Sequence, residues 1–160
     1  MAEDVIKVNM GELKIGRGGD VLAAYGVGSC VIVACYDRGL QLAAMLHGIL
    51  PEKPGGRRQY GENKYLNTGI DNLVKLLLKE GISLKNMEAK IFGGAKMFDI
   101  SNGQETIGER NIRTAKETLS AKGIPVIAED TGSNYGRSIE FYVTDKKAVI
   151  KSFAAGTKEL

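Results

Sequence analysis

The sequence lacks several features that would assign it to common functional classes. It has no tryptophan, one histidine and two cysteines, Cys30 and Cys35, without a Cys-x-x-Cys pair. This set argues against a zinc site. No apolar run is long enough to cross a membrane, and the acidic start 1–4 differs from a basic signal peptide. We therefore expect a cytoplasmic protein that does not insert into a membrane.

The charge and the length of the chain indicate which partners and how many domains to expect. The net charge of +3 comes from 22 basic and 19 acidic side chains, and only Arg57-Arg58 and Lys146-Lys147 are adjacent basic pairs. A nucleic-acid footprint needs a denser basic patch, so we expect no nucleic-acid partner. The 160 residues, 43% of them apolar, predict a single domain over 1–160.

The apolar pattern predicts more strands than helices. Repeats at helical spacing predict helices over 62–80 and roughly 105–122, each followed by a glycine. Apolar segments bounded by turn residues predict strands over 5–8, 13–15, 21–25, 31–36, 41–47, 86–92, 125–130, 139–143 and 148–153. The fold class expected is α+β or mixed α/β, with a sandwich-like, β-rich core of mixed sheets and two main flanking helices.

One turn delivers a cysteine to the beginning of a strand. The small residues 26–29 precede Cys30, and a hairpin loop at Arg38-Gly39 would place Cys30 directly opposite His47, the only histidine. Side chains directly opposite on antiparallel strands have Cβ atoms roughly 4.5–5.5 Å apart. A slip of one residue would put them on opposite faces.

A thiol beside an imidazole is suited to acyl chemistry. The imidazole of His47 can accept the thiol proton, and the resulting Cys30 thiolate can attack an amide carbon. The amide of Cys30, with one from Gly28 or Ser29, would stabilise the oxyanion. In the alternative interpretation, Cys30 packs in the core and His47 only caps a strand. Cys35 lies on the other face of the strand and is expected to be a small buried hydrophobe.

The segment 51–61 has two interpretations. It contains two of the three prolines and three glycines, which predicts a mobile surface loop. Because it follows the His47 strand, it would border the site, and its two interpretations are a lid and a plain connection.

Several blocks along the chain closely resemble the CheD family of chemoreceptor glutamine deamidases. The blocks occur in the family's order and are Gly26-Val27-Gly28-Ser29-Cys30-Val31, Met45-Leu46-His47-Gly48-Ile49-Leu50-Pro51, Lys90-Ile91-Phe92-Gly93-Gly94-Ala95-Lys96-Met97-Phe98, Ile107-Gly108-Glu109-Arg110-Asn111, and Ala128-Glu129-Asp130-Thr131-Gly132 with Gly136-Arg137.

This resemblance implies a fold of cysteine-hydrolase type and a hydrolase that converts receptor glutamines to glutamate with release of ammonia. It implies that Cys30 is the nucleophile, that His47 is the general base and acid, and that no metal or organic cofactor takes part. The implied partners are methyl-accepting chemotaxis receptors and, in some members, the phosphatase CheC.

The chain departs from the family at one position. The family's third catalytic residue is a threonine six positions before the cysteine, where this chain has Ala24. Alanine has no hydroxyl to orient His47, so a water, a backbone carbonyl or another side chain must set its tautomer. Turnover is expected to survive at a reduced rate. The alternatives are a binding module without turnover and a thiol hydrolase for small amides.

Overall fold

The computed structural model describes residues 4–52, 61–97 and 103–160. Within these ranges it contains ten strands and two α-helices. The strands are β1 (Val5–Lys7), β2 (Leu13–Arg17), β3 (Val21–Val27), β4 (Val31–Asp37), β5 (Leu42–Gly48), β6 (Met87–Gly93), β7 (Val126–Thr131), β8 (Arg137–Tyr142), β9 (Lys147–Ser152) and β10 (Gly156–Glu159). The helices are α1 (Leu66–Lys79) and α2 (Ile107–Ala121).

The strands form two five-stranded sheets. The outer sheet has the order β1-β3-β8-β9-β10, and the central sheet has the order β2-β5-β4-β6-β7. Each is mixed: β1 runs parallel to β3, and β6 runs parallel to β7, while the other neighbours are antiparallel. The β-rich architecture with two helices confirms the fold class expected from the sequence.

The central sheet is buried on both of its faces. One face packs on the outer sheet through a cluster that includes Leu22, Ile32 and Phe141, and the other packs on the helices through residues such as Leu46 and Leu73. Every residue of β4 and β5 is buried. A strand covered on both faces needs apolar residues at consecutive positions, which explains why these two strands show no polar alternation.

The helix boundaries follow local hydrogen bonds. Thr106 caps α2 in a reciprocal pair with Glu109, whose backbone N–H lies 3.2 Å from the threonine hydroxyl. The predicted start of the first helix was wrong, because Glu62–Lys64 form a single 3₁₀ turn and Tyr65 is extended. Neither α1 nor α2 is long and apolar enough to span a bilayer.

The register of the β4–β5 hairpin differs from the predicted one. Ile32 pairs with His47, so Cys30 lies two residues along the strand from the position directly opposite the histidine. The connection has four residues because the Asp37 carboxylate accepts the amides of Gly39 and Leu40, at 2.7 and 2.9 Å. Since the shift is two residues, Cys30 stays on the face that carries His47.

One strand was missed by the sequence analysis. This strand, β10, pairs with β9 at the edge of the outer sheet. Residues 53–60 lie outside the described residues, so the loop over 51–61 stays a prediction with both of its interpretations.

Glycines allow close packing between α2 and the end of β6. A Cβ on Gly108 would lie 2.4 Å from the Ala95 carbonyl oxygen and 2.5 Å from that of Gly94. A Cβ on Gly93 would lie 2.3 Å from the carbonyl oxygen of Cys30, and its φ of +102° also favours glycine. The double glycine turn therefore brings α2 against the backbone at Cys30.

We predict that Gly108→Ala destabilises the protein by about 2–3 kcal/mol, because the new methyl meets backbone atoms that cannot move aside. At an unobstructed helical position the same change would stabilise by roughly 0.5–1 kcal/mol. Gly61→Ala is the control, since none of the described residues comes within 4 Å of a Cβ there. Urea unfolding of the three proteins measures the difference, and a Gly108→Ala variant as stable as the parent would contradict this packing.

Candidate active site

Cys30 and His47 share one small cavity. Its volume is about 290 Å³, and it is lined by Lys7, Val8, Asn9, Met10, Tyr25, Gly26, Cys30 and His47. Cys30 is 8% exposed and His47 is 3% exposed, so both are largely covered by protein yet reach the cavity wall. The structure thus brings together the two predicted residues, although as diagonal neighbours rather than as a directly opposed pair.

The backbone fixes the orientation of the imidazole. Nδ1 of His47 lies 3.0 Å from the Val8 carbonyl oxygen. A carbonyl can only accept, so Nδ1 carries the proton and Nε2 keeps a free lone pair. Within the described part of the chain, Nε2 has no hydrogen-bond partner. The ring is therefore held as a base whose accepting nitrogen is uncommitted.

Val8 connects the two sheets at this point. Its own N–H donates to the Ala23 carbonyl of β3 at 2.7 Å, while its carbonyl accepts from His47 of β5. The next residues of the β1–β2 connection hold the backbone of the histidine, because Gly11 donates to the His47 carbonyl and the His47 amide donates to the Glu12 carbonyl. The base is thus positioned by a short segment of main chain.

Burial sets the protonation states of the pair. It raises the pKa of the Cys30 thiol, an effect that hydrogen bonding from the residue's own backbone partly offsets. Burial also lowers the pKa of His47, against smaller opposite effects of the Val8 carbonyl and the Glu12 charge. Both shifts favour the neutral thiol and the neutral imidazole over an ion pair at neutral pH.

The turn before β4 is clamped through its carbonyl groups. The Gly28 carbonyl accepts from the Ala95 amide at 2.9 Å, and the Cys30 carbonyl accepts from the Gly94 amide at 2.7 Å. The intervening carbonyl, that of Ser29, accepts from Nδ2 of Asn111 at 2.9 Å. Gly28 and Ser29 thus lie in the backbone that presents Cys30, outside the lining of the cavity itself.

The amides of this turn remain available. Across the ranges that the structure describes, the N–H groups of Ser29 and Cys30 donate no hydrogen bond to another residue. Uncommitted amides next to a nucleophile are the groups from which oxyanion holes are built.

Ala24 lies away from the cavity. It is fully buried between the sheets, pairs with Ile139 of β8 and does not line the cavity. Tyr25, the next residue, is 47% exposed and has its ring 5.9 Å from the Lys7 ammonium. The two side chains therefore point to opposite faces of β3. The acceptor at Nδ1 of His47 is the Val8 carbonyl, one of the three kinds of group expected in place of the threonine.

Two contributors to the site were not predicted. The Val8 carbonyl has no signature in the sequence, since every residue has one. Asn111 does have a signal, because it lies four residues before Ala115 on the apolar side of α2, where a polar residue is unusual. Its side chain is fully buried and contacts the carbonyls of Ser29 and Ile49.

Another depression is larger but lacks the chemistry of this site. A larger depression of about 730 Å³, between the end of α2 and β7, contains neither cysteine nor histidine. Among the described residues no group of three or more histidine, cysteine, aspartate or glutamate side chains is arranged to hold a metal ion.

Comparison with known proteins identifies a family. The family model described as CheD chemotactic sensory transduction matches residues 49–152. A protein named probable chemoreceptor glutamine deamidase CheD from Caldanaerobacter subterraneus subsp. tengcongensis is 38% identical over 160 residues, 99% of each chain. A protein of the same name from Pyrococcus abyssi is 40% identical over 152 residues, 94% of this chain and 93% of its own. A protein from Methanosarcina acetivorans, named probable chemoreceptor glutamine deamidase CheD 1, is 39% identical over 96% of each chain.

We predict that iodoacetamide labels one thiol in the folded protein, that of Cys30. Cys35 is fully buried on the helix side of β4, and burial raises its pKa to about 12. Because burial also raises the pKa of Cys30, labelling should be slow near pH 7 and accelerate about tenfold per pH unit through the range in which an ordinary thiol ionises. Intact-mass spectrometry measures both the stoichiometry and the rate.

The two single-cysteine variants provide the control for this experiment. Cys30→Ala should abolish labelling of the folded protein, whereas Cys35→Ala should leave it unchanged. A labelling rate that is already maximal near pH 7 would mean that the thiol is ionised there, contrary to the neutral pair.

Proposed function

The chain belongs to the CheD family, and we propose that it is a chemoreceptor glutamine deamidase, a hydrolase that converts receptor glutamine side chains to glutamate and releases ammonia. The observation that supports this most directly is the shared cavity of Cys30 and His47, in which Nε2 of the imidazole has no partner among the described residues. The substrates are glutamines on the cytoplasmic helices of chemotaxis receptors.

In the first step Cys30 is the nucleophile. As its Sγ bonds to the carboxamide carbon, the thiol proton moves to Nε2 of His47 and the carbonyl electrons move to the oxygen. The resulting oxyanion accepts from the Cys30 amide, together with that of Ser29. When the C–N bond breaks, the proton on His47 passes to the leaving nitrogen, so ammonia departs and a thioester remains.

In the second step His47 is the base again. It takes a proton from water, the hydroxide attacks the thioester carbon, and the C–S bond breaks to leave a glutamic acid side chain, whose own proton passes to solvent to give the carboxylate. The proton held on Nε2 returns to the sulfur. A neutral resting pair suits this cycle, because the histidine must be unprotonated at the beginning of each step.

The cavity rim suits a substrate presented by another protein. The cavity is small, and its lining residues Met10 and Tyr25 are 65% and 47% exposed. Exposed methionine and tyrosine are typical of protein contact surfaces. A side chain that projects from a receptor helix would reach Cys30 while the helix rests on this rim.

A runner-up function rests on Ala24. Because alanine replaces the family's threonine at this position, the alternative function is a binding module. Such a module would contact receptors or the phosphatase CheC with little or no turnover. The Val8 carbonyl argues for the enzyme, because it supplies the acceptor that sets the tautomer of His47. We propose CheC as a further partner on the family resemblance alone.

Cys30→Ala should abolish deamidation, with a loss of at least about 10³-fold, because no other group can form the thioester. His47→Asn should lower the rate by about 10²–10⁴-fold, since a general base is lost. The assay incubates the protein with receptor fragments and follows ammonia release together with a mass gain of about one dalton per site, the difference between an amide and an acid.

Cys35→Ala is the matched control, because that sulfur packs in the cluster below the helices, on the other face of β4. It should retain the parent rate. Receptor binding without ammonia release by the parent protein would contradict the deamidase and favour the binding module.

Ala24→Thr should change the deamidation rate by less than about threefold, because Nδ1 of His47 already has an acceptor. The added atoms enter a packed core and should cost about 1–3 kcal/mol of stability. Ala23→Thr, at the neighbouring buried position, controls for that cost. A gain of tenfold or more with Ala24→Thr alone would show that the missing hydroxyl limits this enzyme.

A further inference from the structure

Asn111 contacts the turn formed by residues 26–29 before Cys30, here called the reactive turn. Its Nδ2 donates to the Ser29 carbonyl and to the Ile49 carbonyl, both at 2.9 Å. Ser29 immediately precedes Cys30, and Ile49 is the second residue after His47. One carboxamide therefore joins the backbone beside the nucleophile to the backbone beside the base.

These contacts come at a cost to stability. The side chain is fully buried, and its Oδ1 has no hydrogen-bond partner within the described residues. The two carbonyl neighbours identify the nitrogen end of the amide, since only that end can donate. An unpaired buried oxygen destabilises a fold, because the group has lost its hydrogen bonds to water. The two hydrogen bonds to main-chain carbonyls offset part of that cost, and they fix the direction in which those carbonyls point.

The hydrogen bond from Asn111 to the Ser29 carbonyl also sets the direction of the Cys30 amide, because both groups belong to one peptide unit. The described chain has no cis peptide bond, so the Ser29 C=O and the Cys30 N–H of one planar unit point in opposite directions. With the carbonyl drawn towards Asn111 on α2, the amide points to the other side. That side carries the sulfur, because the Cys30 side chain lies in the cluster between the two sheets and lines the cavity, on the face of the central sheet away from α2.

We infer that Asn111 is a positioning residue that holds the Ser29–Cys30 peptide so that the Cys30 amide faces the developing oxyanion. The inference rests on the proposed acyl chemistry of Cys30. It assigns Asn111 no contact with the substrate. Its influence is on acyl transfer, which generates an oxyanion, and not on reactions of the sulfur that generate none.

The test compares two reactions of the same sulfur. Acylation by p-nitrophenyl acetate passes through an oxyanion and requires no receptor, whereas alkylation by iodoacetamide displaces iodide at a saturated carbon. Asn111→Leu removes both donors while keeping the number and branching of the side-chain heavy atoms, and Asn111→Ser retains one hydroxyl donor on a shorter side chain. Ala115→Gly, one turn along α2, weakens the same helix and removes none of the side-chain hydrogen bonds to the turn before Cys30.

We expect Asn111→Leu to slow acylation of Cys30 by about 10–100-fold, with Asn111→Ser intermediate, and to change alkylation by less than about threefold. With receptor fragments as substrate, kcat should fall while KM stays within about twofold. Ala115→Gly should retain the parent rates for all of these reactions. Thermal unfolding establishes that each variant is folded at the assay temperature, and Asn111→Ser carries the test if Asn111→Leu does not fold.

A parallel loss of acylation and alkylation would overturn the inference, as would acylation at the parent rate in both Asn111 variants or a parent protein in which the ester forms no acyl-Cys30. If the parent acylates Cys30 but leaves receptor glutamines unchanged, the proposed substrate is wrong while the positioning role of Asn111 is still measured by the ester.

Discussion

Burial of the β4–β5 hairpin on both faces is the constraint on which the site depends. Apolar layers above and below this hairpin fix its register, because a slip of one residue would exchange the side chains of the two layers. Cys30 and His47 lie where this doubly covered region meets the cavity. The same burial removes water from both groups and disfavours their charged forms. A single physical cause therefore sets both the geometry and the protonation state of the pair.

The parts of the fold that could be predicted are those whose side chains repeat with the period of a helix or form a continuous apolar run. The apolar repeat of α1 and the continuous apolar runs of β4 and β5 identified the elements, and the turn before Cys30 identified the reactive position. The register of the hairpin could not be predicted, because it depends on the Asp37 carboxylate binding two amides across the turn. The start of α1 depends on Leu50, whose carbonyl accepts from Leu66. Contacts of these kinds leave no periodic signal.

The site also contains some groups that could be predicted from the sequence and others that could not. Cys30 and His47 are rare residue types in suggestive positions, and sequence alone could single them out. The Val8 carbonyl could not be predicted, because a main-chain acceptor is common to all residues and only the fold decides where it points. Asn111 lies between these cases. A polar side chain on an apolar helix face signals a buried contact, but the carbonyls that it reaches are 82 and 62 residues away in the chain.

The Val8 carbonyl has a consequence for how this site withstands genetic drift. A side-chain acceptor such as a threonine hydroxyl is lost by one codon change, whereas a main-chain oxygen persists through every substitution at its own position. As long as the short connection after β1 keeps its path, the tautomer of His47 is protected from point mutation. Proteins with this arrangement can therefore carry an apolar residue at position 24 and still hold His47 in the tautomer that acts as a base.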